Sequence, residues 1–261
     1  MKWGASHKNV APYTALAPIY DRVMAHVNYE RWAAYIHDII SCYRPASKWV
    51  VDISCGTGTF CLLLHIYGYH VTGMDSSLPM LKQAVRKWST NPASFICADL
   101  SHLPLSERAD VVVSLYDSMN YLLESSSWHA SLLEISAQLQ ENGLFIFDVS
   151  TIYNSSKDFS QYVNKESFSG ARYVRKSTFD KKNHIQTNHF EIRLAQNPGM
   201  TLCETHRQRI WPLEDIQAFI QDSPFDLLAG YKNFSFDPLT EKCERVHFVL
   251  KKKSNRHVRT S

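Results

Sequence analysis

The chain has 261 residues, 44% hydrophobic and 20% charged, with a formal net charge of +3 at pH 7. This is the balance of a globular protein forming one large domain or a domain with an inserted subdomain, and glycine and proline are not enriched. No apolar run approaches the ~18 residues that span a bilayer, so a membrane is not an expected partner.

The opening "MKWGASHKNVAPY" lacks the apolar core of a secretory signal. Cys42, Cys55, Cys61, Cys97, Cys203 and Cys243 form no CxxC pair, so free thiols in a cytoplasmic protein are expected, and no metal centre. Residues 12–43 are predicted helical, because Trp32, Tyr35, Ile36 and Ile39 recur at three- and four-residue spacing. Strands and helices then alternate. "KWVVDI", "YHVTGMD", "ASFICAD", "ADVVVSLYD" and "LFIFDVS" read as five strands. "TFCLLLHIYG", "LPMLKQAVRKW" and "WHASLLEISAQL" read as the helices between them, the last closed by "ENG". This alternation implies a parallel, doubly wound sheet.

Beyond residue 150 the texture changes. "STIYNSSKDFSQ" reads as a polar connection, followed by three antiparallel strands, "ARYVRKSTFD", "HIQTNHFEIRLA" and "MTLCETHRQRI", with turns at "KKN" and "QNPG". "PLEDIQAFIQ" returns to helix and "ERVHFVLKK" to strand. The expected organisation is a helical lid at 1–43, a parallel core at 44–150, an antiparallel β insertion at 151–211, the last helix and strands of the core at 212–251, and a basic tail at 252–261.

Ligands of open α/β sheets bind beyond the carboxyl ends of the strands, which directs attention to "VVDISCGTGTF", residues 50–60. Gly56 and Gly58 would let the backbone pass close to a ligand, and the helix that follows presents free N–H groups. Gly56-Thr57-Gly58-Thr59-Phe60-Cys61 does not by itself exclude a dinucleotide site. Asp52 tips the balance. An acid at the end of the first strand would repel a pyrophosphate but suits an ammonium or a sulfonium.

"VVDISCGTGTF" resembles the first motif, D-x-G-C-G-T-G, of class I S-adenosylmethionine (SAM)-dependent methyltransferases. "TGMDSS", "MLKQA", "ADLSHLPL" and "ADVVVSLYDSMNYL" resemble the later motifs in order, across about residues 13–150. "YTALAPIYDRVM", "ETHRQRIW" and "ERVHFVLKK" resemble the small-molecule subset that includes sugar N,N-dimethyltransferases. The resemblance implies a Rossmann-like fold, a seven-stranded, mostly parallel sheet, with SAM as methyl donor and S-adenosylhomocysteine as product. It places Asp75 on the ribose hydroxyls and Asp99 at the adenine amino group. Asp52, Ser54, Gly56, Gly58, Ser76, Met80, Leu100 and Leu115 complete the implied donor site, with Tyr20 and Trp32 of the lid over the sulfonium. Ser54 departs from the family, which has glycine there. Bland readings stand beside these: Asp75 as a helix cap, Asp99 as a turn residue, Tyr20 and Trp32 as core aromatics.

Tyr116, Asp117, Asn120 and Tyr121 lie just past the fourth strand, beside the expected methyl group. Asp117 is a candidate for holding an acceptor ammonium or taking its proton, and Tyr121 stands where the sugar enzymes carry a histidine. In "MTLCETHRQRIW", strand alternation puts His206 and Gln208 on one face, with Met200, Leu202 and Ile210, and Arg207 and Arg209 on the other. His206 is therefore a candidate to meet the acceptor, against a packing role. The expected activity is methyl transfer to N or O of a small-molecule acceptor. Rivals are an RNA-modifying methyltransferase, suggested by "KKKSNRHVRTS", and a SAM-binding protein with lapsed catalysis; a nicotinamide oxidoreductase is disfavoured by Asp52. A homodimer is left open.

Overall fold

The computed structural model describes residues 6–88 and 94–254. In chain order its elements are β1 (Ser6–Asn9), α1 (Tyr20–Val23), α2 (Tyr29–Tyr43), β2 (Trp49–Asp52), α3 (Thr59–Ile66), β3 (His70–Asp75), α4 (Leu78–Lys87), β4 (Ser94–Cys97), β5 (Ala109–Ser114) and α5 (Ser125–Gln138). Next come β6 (Leu139–Ser150), α6 (Ile152–Asp158), β7 (Gln161–Phe168), β8 (Ala171–Asp180), β9 (Ile185–Leu194), β10 (Met200–Arg209), α7 (Leu213–Gln221), β11 (Phe225–Lys232) and β12 (Arg245–Lys252).

The expected doubly wound sheet is present, in the order β11-β12-β6-β5-β2-β3-β4. The strands β4, β3, β2, β5 and β6 run parallel, and β12 is antiparallel to both its neighbours. Its central strands are apolar on both faces because helices cover both. Val111, Val113, Leu144 and Ile146 pack towards α2 and α3, whereas Val112, Phe145, Phe147 and Val149 pack towards α5 and α7. The chain leaves β2 towards β3 and β4, then returns to the other side of β2 as β5. The crevice of an open α/β sheet opens at such a reversal, beyond the carboxyl ends of β2 and β5.

A second sheet, β1-β10-β9-β8-β7, stands apart from the first. Its inner face carries Ala171, Tyr173, Phe190 and Ile192, which pack against Ala15, Leu16 and Ile19 of the N-terminal segment. Two of its strands were not predicted. All four residues of β1 are exposed, and β7 buries none of its residues fully, so neither shows the apolar alternation that marks a strand. The segment read as a polar connection contains α6, whose one fully buried residue is Ser155.

Two further expectations are corrected. Residues 12–43 are not helical throughout: Tyr13 sits at φ 61°, α1 is a single turn, and the long helix begins only at Tyr29, where the Asn28 side chain caps Arg31 N–H. The basic tail does not begin at 252, because Lys252 lies in β12 and its Nζ donates to Leu139 O at 2.8 Å. Lys253 likewise donates to Ser223 O at 2.7 Å, so two lysines of the run satisfy internal carbonyls. Residues 255–261, the rest of that run, lie outside the described residues. All six cysteines are free thiols. Among the described residues no helix is long and apolar enough to cross a membrane.

Candidate active site

The turn after β2 separates the two glycines by role. Gly58 has φ +74°, caps α3, and any Cβ there would meet Trp88 Nε1 at 3.0 Å and Phe95 Cζ at 3.1 Å. Trp88 Nε1 donates to Gly58 O at 3.1 Å, so this glycine serves the packing of α3 against α4 and lines neither of the two cavities described below. Gly56, at φ +55°, does face the crevice, and a Cβ would meet only Met80 Cε at 3.2 Å. Its N–H donates to Asp75 Oδ2 at 2.8 Å, while Asp75 Oδ1 accepts from Ser77 N–H at 2.8 Å. Ser77, rather than Asp75, caps α4. Burial pushes the Asp75 carboxyl above its ordinary pKa. A half-buried acid with lone pairs left over, aimed into a cleft, suits a ligand diol.

Ser54 is not in the left-handed region, so its Cβ carries no backbone penalty. Its Oγ accepts from Leu115 N–H at 3.2 Å and lies 3.4 Å from Ser114 Oγ, tying the end of β2 to the end of β5. Ser54→Gly is therefore expected to change SAM affinity by less than about tenfold, roughly 1.4 kcal/mol. A gain of several hundredfold in calorimetry would mean that the serine impairs the site.

Asp52 is buried and accepts from Ser54 N–H at 3.1 Å, with Cys61 Sγ 3.7 Å away. Burial pushes its pKa up to about 7, against the pull of the Ser54 N–H. A ligand ammonium needs the carboxylate, so SAM affinity should rise with pH and level off above 7, falling by up to about tenfold per unit below it. An affinity flat between pH 6 and 8 would show that Asp52 does not read the ligand's charge.

The main cavity has a volume of about 500 Å³, in the range of small-molecule sites. Tyr20, Ser54, Gly56, Asp75, Ser76, Met80, Asp99, Leu100 and Leu115 of the predicted donor set line it, as do Asp117, Tyr121 and His206. Asp52 and Trp32 instead line a smaller adjoining cavity, which shares Tyr20, Ser54, Gly56, Leu115 and Tyr116 with the first. Asp99 is exposed and also builds its turn, accepting from Ser101 N–H at 2.9 Å and Ser101 Oγ at 2.7 Å. The lid is latched to the first motif through Asp21, which accepts from Thr57 Oγ1 and pairs with Lys87 at 2.7 Å.

The opposite half of the cavity rests on two strained residues. Tyr116 (φ 64°) and Asp117 (φ 53°) follow β5 in the left-handed region, which costs non-glycine residues about 1–3 kcal/mol each. Asp148, fully buried on β6, holds them by accepting from Tyr116 N–H at 2.6 Å and Asp117 N–H at 2.9 Å. Arg245, at the start of β12, pairs with Asp148 and with Asp117 Oδ1 at 2.8 Å, its guanidinium 5.3 Å from the Trp32 ring centre. Burial pulls the Arg245 pKa down, but Asp148 and Asp117 reverse that and raise it. Burial likewise raises both carboxyls, against the pull of Arg245. Asp117 Oδ2 accepts from Gln208 Nε2 at 2.6 Å. Arg245 lowers the basicity of Asp117 and, with Gln208, ties it to the loop, a charged partnership that Asp75 lacks.

Tyr121 and His206 are brought together. Tyr121 Oη lies 2.9 Å from His206 Nδ1 and 2.7 Å from Tyr13 Oη. His206 Nε2 lies 3.0 Å from Glu204 Oε2, and Glu204 also accepts from the backbone N–H groups of Tyr13 at 2.8 Å, Ala15, and Leu16 at 2.9 Å. A carboxylate only accepts, so Nε2 carries a proton; in the neutral imidazole Nδ1 then accepts, and the Tyr121 hydroxyl donates to it. Glu204 therefore does two things: it clasps the N-terminal segment onto β10 and fixes the tautomer of His206.

Sequence reasoning missed Glu204, Asp148 and Arg245. The alternation that put His206 and Gln208 on the inward face extends two residues back to Glu204. Asp148 is a lone acid within the apolar run "LFIFDVS", and a charge in a buried strand signals a partner.

Residues 50–143 match the family described as methyltransferase domain. A provisionally named methyltransferase of Geobacillus sp. (strain WCH70) is 28% identical over 246 residues, covering 92% of this chain and 99% of its own. The SAM-dependent methyltransferase from Clostridium acetobutylicum ATCC 824 has a similar structure, with TM-score 0.79 and 22% identity, over 93% of this chain and 99% of that one. The sugar N-methyltransferase KedS8 from Streptoalloteichus sp. ATCC 53650 superposes with TM-score 0.74 and 19% identity, over 92% and 95%.

Proposed function

We propose that this chain, which belongs to the SAM-dependent methyltransferases, methylates the nitrogen of a small-molecule amine. The observation that carries the reading is the Glu204–His206–Tyr121 chain at the wall of a cavity that β10 and the clasped N-terminal segment enclose. That enclosure favours a small acceptor over a polynucleotide.

When bound, SAM supplies a methyl group already activated on a sulfonium, and Gly56, Asp75, Met80, Asp99 and Leu115 are the residues that would hold it. What remains for the protein is to position the acceptor and, for an amine, to remove the proton that masks its lone pair. Well-oriented reactants gain up to ~7–11 kcal/mol from positioning alone. Burial pushes the Tyr121 hydroxyl above its ordinary pKa, which disfavours a standing phenolate. Tyr121 acts instead as a relay: its oxygen takes the ammonium proton as its own proton passes to His206 Nδ1, and Glu204 stabilises the imidazolium. A protonated amine near pKa 10 is within reach of such a neutral relay. An aliphatic alcohol, close to water's 15.7, is a harder proton for it to take, which favours the amine as acceptor.

Methyl transfer is the more general part of this reading, and a cytoplasmic location belongs to it, since six unpaired cysteines fit a reducing compartment. The test is a screen of metabolite fractions and of total RNA with SAM, following S-adenosylhomocysteine release. Turnover should appear with small amines, with little dependence on salt. Turnover on RNA alone, falling steeply with salt as phosphate contacts require, would overturn the reading.

A further inference from the structure

Arg175 on β8 is out of keeping with its row. Ala171, Tyr173, Ser177 and Phe179, the residues that share its face, are all buried and uncharged. Arg175 is half-buried, turns the same way, and lines the main cavity. Among the described residues it has no carboxylate partner within 4 Å, whereas the cavity's other arginine, Arg245, has two.

Its position is fixed by other means. Nε donates to Ser177 Oγ at 3.2 Å and Nη2 to Asn188 Oδ1 at 3.0 Å. The guanidinium lies 5.2 Å, 5.5 Å and 5.6 Å from the ring centres of Phe159, Tyr162 and Phe190. A guanidinium has five N–H donors. Two are engaged here, which leaves three for the cavity. Asn188 continues through Gln208 to Asp117, so the arginine is wired to the loop that follows β5. Its charge also reaches the relay: burial raises Tyr121, Asp117 raises it further, and Arg175 lowers it.

The charges of the two halves differ in sense. Asp75 and Asp99 stand on the donor side, in keeping with a cationic donor. The second sheet offers an arginine that aromatic rings partly shield from water, and such a guanidinium recognises planar or tetrahedral oxyanions by paired N–H bonds. We propose that the acceptor carries an oxyanion, a carboxylate or a phosphoryl group, that binds Arg175 while its amine faces Tyr121. This rests on the methyltransferase reading above and adds the substrate class.

The test uses the full chain saturated with S-adenosylhomocysteine, whose own carboxylate then occupies the donor side. Sodium acetate, inorganic phosphate and uncharged acetamide are titrated in turn at constant ionic strength. The Nε–H cross-peak of Arg175 and the side-chain amide of Asn188 are followed by NMR. A saturable shift with acetate, phosphate or both is expected, with none for acetamide; the tighter anion identifies the group the acceptor carries. In Arg175→Met the Asn188 response should weaken roughly tenfold or more. Arg175→Lys keeps the charge but loses the fork, and should fall between. Calorimetry of S-adenosylhomocysteine keeps the two readings apart. If the wild type does not bind it, the methyltransferase reading fails. If it binds while anions give no saturable shift, or the same shift in wild type and both variants, the anion site alone is overturned.

Discussion

Replacing Arg245 with methionine should destabilise the protein by about 3–5 kcal/mol, the usual cost of stranding a buried charge. Arg245 neutralises two carboxylates at once, Asp148, which has no exposure, and Asp117. Without it, both acids must stay ionised in a dry interior or take up protons. Urea unfolding would show the loss, and a thermal scan should fall by roughly 10 °C for a chain of this size. The pH dependence has a definite sign. With the arginine gone, the folded-state pKa values of Asp117 and Asp148 rise further above their unfolded values. Their protonated forms support the fold at low pH, and this support is lost as pH rises through the raised values. The deficit of the variant should therefore be larger at pH 8 than at pH 5. Adding Asp148→Asn removes one stranded charge and should restore part of the loss. A deficit under about 1 kcal/mol, independent of pH, would mean that the triad behaves as an exposed ion pair.

Tyr121→Phe and His206→Ala should each lower kcat by ~10²–10⁴, the range of positioned acid–base groups, while SAM affinity stays nearly unchanged. Both variants remove the same proton path, so the double variant should cost about as much as the worse single one. Gln208→Ala should raise the acceptor's KM modestly, since Gln208 reaches the site through Asp117. Arg207 is exposed on the other face of β10, and Arg207→Ala should do little. If Tyr121→Phe keeps full kcat and His206→Ala loses only stability, the hydrogen-bonded chain is a clasp for the N-terminal segment and no relay.

The parts legible in the sequence are those where one physical signal acts alone. Buried parallel strands such as Val111–Val113 read as unbroken apolar runs, because helices cover both faces. The glycine turn after Asp52 was legible as a ligand loop, but packing divided its labour: Gly56 faces the cavity, while Gly58 yields to Trp88. Strand β7 was hidden because a polar edge strand buries too little to pattern its residues. Most of the second half of the site was hidden for another reason. Asp148, Glu204 and Arg245 acquire meaning only through partners distant in sequence, and spacing carries no trace of a contact between Glu204 and Tyr13. Lys252 and Lys253 show the converse, since a basic run that suggested nucleic acid spends two charges on internal carbonyls.

Calorimetry of the donor tests the central claim most directly. The full chain should bind SAM and S-adenosylhomocysteine at micromolar level and show no comparable binding of NAD. Asp75→Ala should weaken the interaction by about 1.5–3 kcal/mol, the scale of a hydrogen bond to a charged group. Tight binding of NAD with silence towards SAM, or normal SAM binding by Asp75→Ala, would contradict the assignment of this cavity.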